Sequence, residues 1–190
     1  MKKTIHTLVV ACLLLTSACT AFAQKHSVTS IIVNKYLNEM EAKYNELDLL
    51  SDGVTFTKYM TYDFDGDGKQ EFWMSSENDE NQAIFSLVNG KLELLSHTYF
   101  KTNFFFFPGV IASSGSCGTG CYGIEYTVLR NSQKAYVLNE LQSYNFEKDT
   151  MESEYSKNNN DISKAEGERI VKSYGKSIDV ERKMHKITRR

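Results

Sequence analysis

The chain has 190 residues, with 22 basic against 24 acidic side chains, one proline, four cysteines and 12% aromatic residues. A slightly acidic balance argues against nucleic acid as a partner, and no stretch reaches the roughly 20 apolar residues of a membrane-spanning helix. The length suits one ordinary domain with a real hydrophobic core, and the tyrosine and phenylalanine content favours strands.

The chain opens with Lys2 and Lys3, continues through an apolar stretch from Leu8 to Leu15 and reaches Ala21-Phe22-Ala23. Basic, apolar and small in that order is the pattern of a secretory signal cut after Ala23, so we expect a signal peptide over 1–23 and a single domain over 24–190, exported to the periplasm or secreted. A buried N-terminal helix is the alternative. Cys19 follows Thr16-Ser17-Ala18, close to a lipid-attachment motif but with the large aliphatic residue, Leu15, one place too early; a lipid anchor at Cys19 is the lesser reading. Loss of the signal removes two lysines and no acid, leaving 20 basic against 24 acidic residues.

From Ser27, the residues Val28, Ile31, Ile32, Tyr36, Leu37, Met40, Tyr44 and Leu47 recur at steps of three and four, predicting an amphipathic helix that packs on a sheet. Ser51-Asp52-Gly53 breaks it, and Val54 to Tyr62 reads as a strand.

The next segment is the informative one: Tyr62-Asp63-Phe64-Asp65-Gly66-Asp67-Gly68-Lys69-Gln70-Glu71. A seven-coordinate calcium loop places oxygen ligands at positions 1, 3 and 5, a glycine at 6 for the sharp turn, a backbone carbonyl at 7 and a further ligand, often through water, at 9. Asp63, Asp65, Asp67, Gly68, the carbonyl of Lys69 and Glu71 fill those places. Position 12 is Met74, which supplies no carboxylate, and the flanks read as strands rather than helices. The expectation is therefore a strand-loop-strand calcium site of weak affinity, roughly 10⁻⁴–10⁻³ M, unless Glu77, Asp79 or Glu80 folds back to complete it. Magnesium fits less well because it keeps its waters. The plainer alternative is a turn whose aspartates cap backbone amides and hold no ion.

Strands are predicted at 72–75, 83–88, 91–94, 94–100, 103–107, 122–130, 134–142 and 144–155. Asn89-Gly90 marks a type I′ hairpin, and another turn falls at 131–133. Phe104-Phe105-Phe106-Phe107 reads as a strand covered on both faces; the alternative is an exposed aromatic patch presenting Phe105 and Phe107 to a partner. Cys117-Gly118-Thr119-Gly120-Cys121 predicts a disulfide-closed loop tip. An extended run of that length would hold the Cα atoms about 13 Å apart, so the glycines must turn the chain back. Three intervening residues do not suit a thioredoxin-type pair, and His97 alone does not complete a zinc site.

The polar run Lys157–Asp161 is taken to end the sheet, Ser163-Lys164-Ala165-Glu166 has the capping-box spacing that opens a helix near 164, and Gly175 stops it. The tail over 180–190 reads as a last edge strand or a frayed end. The sum is an α+β fold, an antiparallel β-meander of about seven strands flanked by an N-terminal amphipathic helix and a short C-terminal helix.

No G-x-S-x-G, H-E-x-x-H or phosphate-cradling loop occurs. The acids at 77–80 and 152–154 read as solvated faces before they read as a catalytic pair. The leading expectation is an exported calcium-binding protein that acts by binding an unknown protein or glycan, its calcium mainly structural. A metal-independent interaction or inhibitor protein is the alternative, and an exported hydrolase a distant third. With its early helix, Tyr62–Glu71 loop, Val88–Leu92 hairpin and Tyr155–Glu166 helix start, the chain resembles a broad group of secreted proteins and lipoproteins of gut-type bacteria. The loop alone is similar to those of dockerins and integrin-type propellers, but one copy builds no propeller. The resemblance implies export and a calcium-loop sheet fold.

Overall fold

The computed structural model describes residues 28–47, 53–98 and 102–189. The expected signal peptide, its cleavage point and Cys19 lie outside the described residues, as do the break at 51–52 and the end of the strand expected to run to 100.

Helix α1 covers residues 28–45. Its buried stripe is Val33, Leu37, Met40 and Tyr44, with Ile32, Tyr36 and Leu47 at its margins. Val28 and Ile31, which the spacing assigned to the apolar face, are instead exposed. Steps of four, three and four hold one side of a 3.6-residue turn, and Val33 fits them where Ile31 does not.

Eleven strands are present among the described residues, more than the seven expected, and they divide into two antiparallel sheets. One, in the order β11-β1-β2-β3-β4, comprises His185–Lys186, Lys58–Tyr62, Glu71–Ser75, Gln82–Val88 and Lys91–Thr98. The other, β10-β9-β8-β7-β6-β5, comprises Asn160–Ile162, Thr150–Lys157, Gln133–Asn145, Cys121–Arg130, Val110–Gly118 and Thr102–Phe107. Helix α2, Lys164–Ser173, follows, capped by the Ser163 side chain on the Glu166 amide.

Side-chain alternation sorts these elements into four layers. Phe72, Met74, Ala83 and Phe85 of the first sheet bury against α1. Met60, Trp73, Ile84 and Leu95 on its other face meet Phe106, Ile111 and Leu129 of the second sheet. The far face of the second sheet, with Val110, Ala112, Tyr126 and Leu138, is covered by Ile170 of α2 and by Tyr174. The four consecutive phenylalanines follow from this layering: Phe104 and Phe106 enter the inter-sheet core, while Phe105 and Phe107 join the cluster beneath α2.

The two-residue turns Asn89-Gly90, Asn131-Ser132 and Asn158-Asn159 all have both residues at positive φ, as type I′ hairpins require. The last of these corrects the sequence reading, since Lys157–Asp161 does not end the sheet but turns it into β10. Strand β6 was likewise unforeseen, because its alanine, serines and glycines carry little strand preference. Its small side chains lie opposite the large rings of β5, Ala112 against Phe105 and Ser113 against Phe104, so the pairing fills space that a bulkier strand would contest.

The tail is an edge strand rather than a frayed end. Ile178 bridges Phe106, β11 pairs with β1, the Ile187 amide donates to the Thr57 carbonyl at 2.8 Å, and Arg189 bonds Glu41 of α1.

Candidate metal centre

Strands β1 and β2 are adjacent and antiparallel, with Tyr62 opposite Glu71, so the eight residues between them must close a tight loop. Gly66 and Gly68 take positive φ to do so. Asp63 organises the turn: its Oδ1 accepts from the amides of Gly66 at 2.7 Å and Asp67 at 3.1 Å, and its Oδ2 from Gly68 at 2.9 Å.

Glu71, the first residue of β2, is directed inward by the pleat and has no exposed surface. Its Oε2 accepts from the Phe64 amide at 2.9 Å, while Oε1, fully buried, has no hydrogen-bond partner among the described residues. One carboxylate oxygen each from Asp63, Asp65 and Glu71 falls within 4.8 Å of the others. At that spacing two full charges repel by about 3.5 kcal/mol at an effective dielectric of 20. A hydrogen bond from an amide to a charged carboxylate contributes about 1.5–3 kcal/mol net. Backbone amides that donate to Asp63, Asp65 and Glu71 offset part of this repulsion, and the three oxygens are placed so that they could hold a cation. Burial accordingly pushes the Glu71 carboxyl up, and the Asp65 charge adds to the rise, against the lowering effect of the Phe64 amide and of the nearby Ser132 hydroxyl, whose hydrogen bond itself goes to Asp67.

Asp67 and Lys69 stand beside this group rather than in it. Asp67 Oδ1 accepts from the Lys69 amide at 2.8 Å, and Oδ2 takes the Lys69 ammonium at 3.1 Å. The Lys69 amide holds Asp67 below the usual carboxylate range, burial opposing and the Lys69 and Ser132 side chains assisting. Nor do the acids at 77–80 complete the shell: Asp79 pairs with Lys58 at 3.3 Å and Arg182 at 3.0 Å, and Glu80 accepts from Asn78. Burial opposes ionisation of Asp79, but the Ser75 hydroxyl and those two cations outweigh it and hold the group low. Glu152 is likewise lowered by the Lys148 ammonium. Lowered carboxyls lack the retained proton of a general acid.

A participant that the sequence did not announce is Ser132, in the turn between β7 and β8. Its amide donates to Asp65 Oδ2 at 2.9 Å and its hydroxyl to Asp67 Oδ2 at 3.1 Å, across 67 and 65 residues of chain, and it is buried. The only signal for it was the turn itself, which says nothing of where it lands.

Cys117 and Cys121 form the disulfide at the β6–β7 tip, with Cα atoms 5.1 Å apart. Phe105 and Phe107 are half-buried, each ring edge-on or tilted against Tyr126, and Phe107 also against Tyr174. No helix among the described residues is long and apolar enough to cross a membrane. Set against protein-family models, curated proteins and solved structures, the chain matches none.

Proposed function

We propose that this is an exported calcium-binding protein whose ion site is the β1–β2 loop, acting by binding rather than by catalysis. The carrying observation is the buried, unpartnered Oε1 of Glu71 converging with oxygens of Asp63 and Asp65. A hard divalent cation that takes six to eight oxygens answers both the repulsion and the missing partner. The Asp67 carboxylate and the Lys69 carbonyl join the shell in the positions the loop spacing gives them, with the Lys69 ammonium swinging away. Calcium is mainly structural in this reading, since the site joins secondary-structure ends rather than lining a cleft. Titration calorimetry of the purified protein with calcium tests it: binding in the 10⁻⁴–10⁻³ M range is expected, roughly as for extracellular modules. The double change Asp63→Ala with Asp65→Ala must abolish it. No heat at millimolar calcium refutes the site.

One observation favours a metal-independent interaction surface as the second reading. Phe146 is 76% exposed, its ring edge-on to Tyr144 beside the disulfide tip, and Met151 opposite Tyr144 is exposed too. That surface, rather than Phe105 and Phe107, is the one that offers apolar area to a protein or glycan.

A further inference from the structure

The calcium loop belongs to the first sheet, yet its hydrogen bonds run into the second. Besides the two bonds from Ser132, the Gly109 amide of the β5–β6 turn donates to the Phe64 carbonyl at 3.0 Å, and the Leu129 amide of β7 donates to the Gly109 carbonyl at 2.8 Å. Phe64 itself is buried between the sheets against Phe106, ring centroids 5.0 Å apart. The loop is thus bonded to two turns of the opposite sheet, and both turns reach it through the residues that surround the acids.

We infer that the ion site is a fastener between the two sheets, with Ser132 as the positioning residue that holds Asp65 and Asp67 for the ion. This rests on the calcium reading. Asp65 presents one carboxylate to three demands: the charge of Asp63 and Glu71, the Ser132 amide on Oδ2, and the Asp67 amide on Oδ1 at 3.3 Å. Without a cation, repulsion from the buried Glu71 works against the placement that the Ser132 amide needs. With one, the same oxygens converge, and Asp65 and Asp67 are held where Ser132 meets them. Filling the site therefore tightens the β7–β8 turn, and by linkage the turn tightens the site by the same factor. The left-handed φ of Ser132, 59°, lets a glycine replace it without backbone strain, so the hydroxyl can be removed while the amide stays.

The test is amide hydrogen exchange on the purified full chain, with calcium alone as the probe, beside calorimetry. At calcium ten times its dissociation constant, amides that exchange through opening of the site slow by about tenfold. The slowing is expected at Gly109 and over residues 129–134 as well as over 63–71. Ser132→Gly is expected to weaken calcium binding by about tenfold, as loss of a ligand-orienting partner does. At saturating calcium it keeps protection over 63–71 and loses it over 129–134. Asn158→Gly, the same change in a turn of the same type remote from the loop, leaves affinity unaltered. Calcium binding with protection confined to 63–71, or undiminished affinity in Ser132→Gly, overturns the fastener and leaves the ion site standing. Absence of any calcium heat removes both.

Discussion

Replacing Glu71 with glutamine separates the two roles of its carboxylate, because the amide keeps an oxygen for the Phe64 N–H and discards the charge. In metal-free protein the Glu71 charge faces two like charges within 4.8 Å, each worth about 3.5 kcal/mol of repulsion at a dielectric of 20. The proton sets a ceiling on that cost: at pH 7 a carboxyl of ordinary pKa near 4.3 escapes by protonation for about 3.7 kcal/mol. Glu71→Gln should thus stabilise the metal-free protein by about 1–3.5 kcal/mol, a rise in Tm of roughly 3–10 °C for a domain of this size. Calcium at 10 mM should add about 1.4–2.7 kcal/mol to the wild type, given a dissociation constant of roughly 10⁻⁴–10⁻³ M, and nothing to the variant. Thermal melts in chelator and in calcium, run on both proteins, give the four numbers needed. The pH dependence carries an independent sign. The folded protein holds the Glu71 proton to higher pH than the unfolded chain, so this group's contribution to stability falls as pH rises from about 4.3 toward the raised folded value. The variant should lack that descent. A metal-free variant that is less stable than the wild type and keeps its full calcium increment would refute the reasoning, for Glu71 would then be an ordinary buried acceptor.

Two further changes probe the packing away from the site. Glycine to alanine inside a helix ordinarily stabilises by up to about 1 kcal/mol. At Gly167 of α2, however, a Cβ would overlap the Tyr155 ring, which in turn donates to the buried Glu140 at 3.0 Å. Overpacking of about 1–3 kcal/mol should prevail, so Gly167→Ala is expected to lower Tm by roughly 3–9 °C, and a melt that rises would show that α2 does not sit on that ring. His97, beside the Tyr44 ring, has its pKa lowered by burial and by Lys134 against the opposing charge of Glu125. The unfolded chain therefore takes up this proton first, and stability should fall as pH drops through about 6.5 until the folded value is passed. His97→Gln should flatten that limb in urea titrations at pH 5 and 7; an unchanged slope would place its origin elsewhere.

What the sequence disclosed and what it hid divide along the range of the interactions. Helix α1, the cap at Ser163, the Asn89-Gly90 turn and the Asp63–Glu71 loop are set by neighbours a few residues apart, and each stands where the residues placed it, apart from Val28 and Ile31. Strand β6 escaped notice because only Val110 and Ile111 favour extension, and the small residues that follow do not; its shape is supplied by the rings of β5 on one side and by β7 on the other. The same holds at the candidate metal centre. Spacing named the acids, but it could not distinguish Asp67, which the adjacent Lys69 neutralises, from Glu71, whose burial comes from the inter-sheet core. Nor could it supply Ser132, which reaches the loop only because two sheets stack with the β7–β8 turn over the β1–β2 loop. A local calcium-loop pattern thus acquires its second-sheet partner from packing alone. Hence Ser132→Gly is the change that tells an ion site merely carried on a loop from one built into the joint between the sheets.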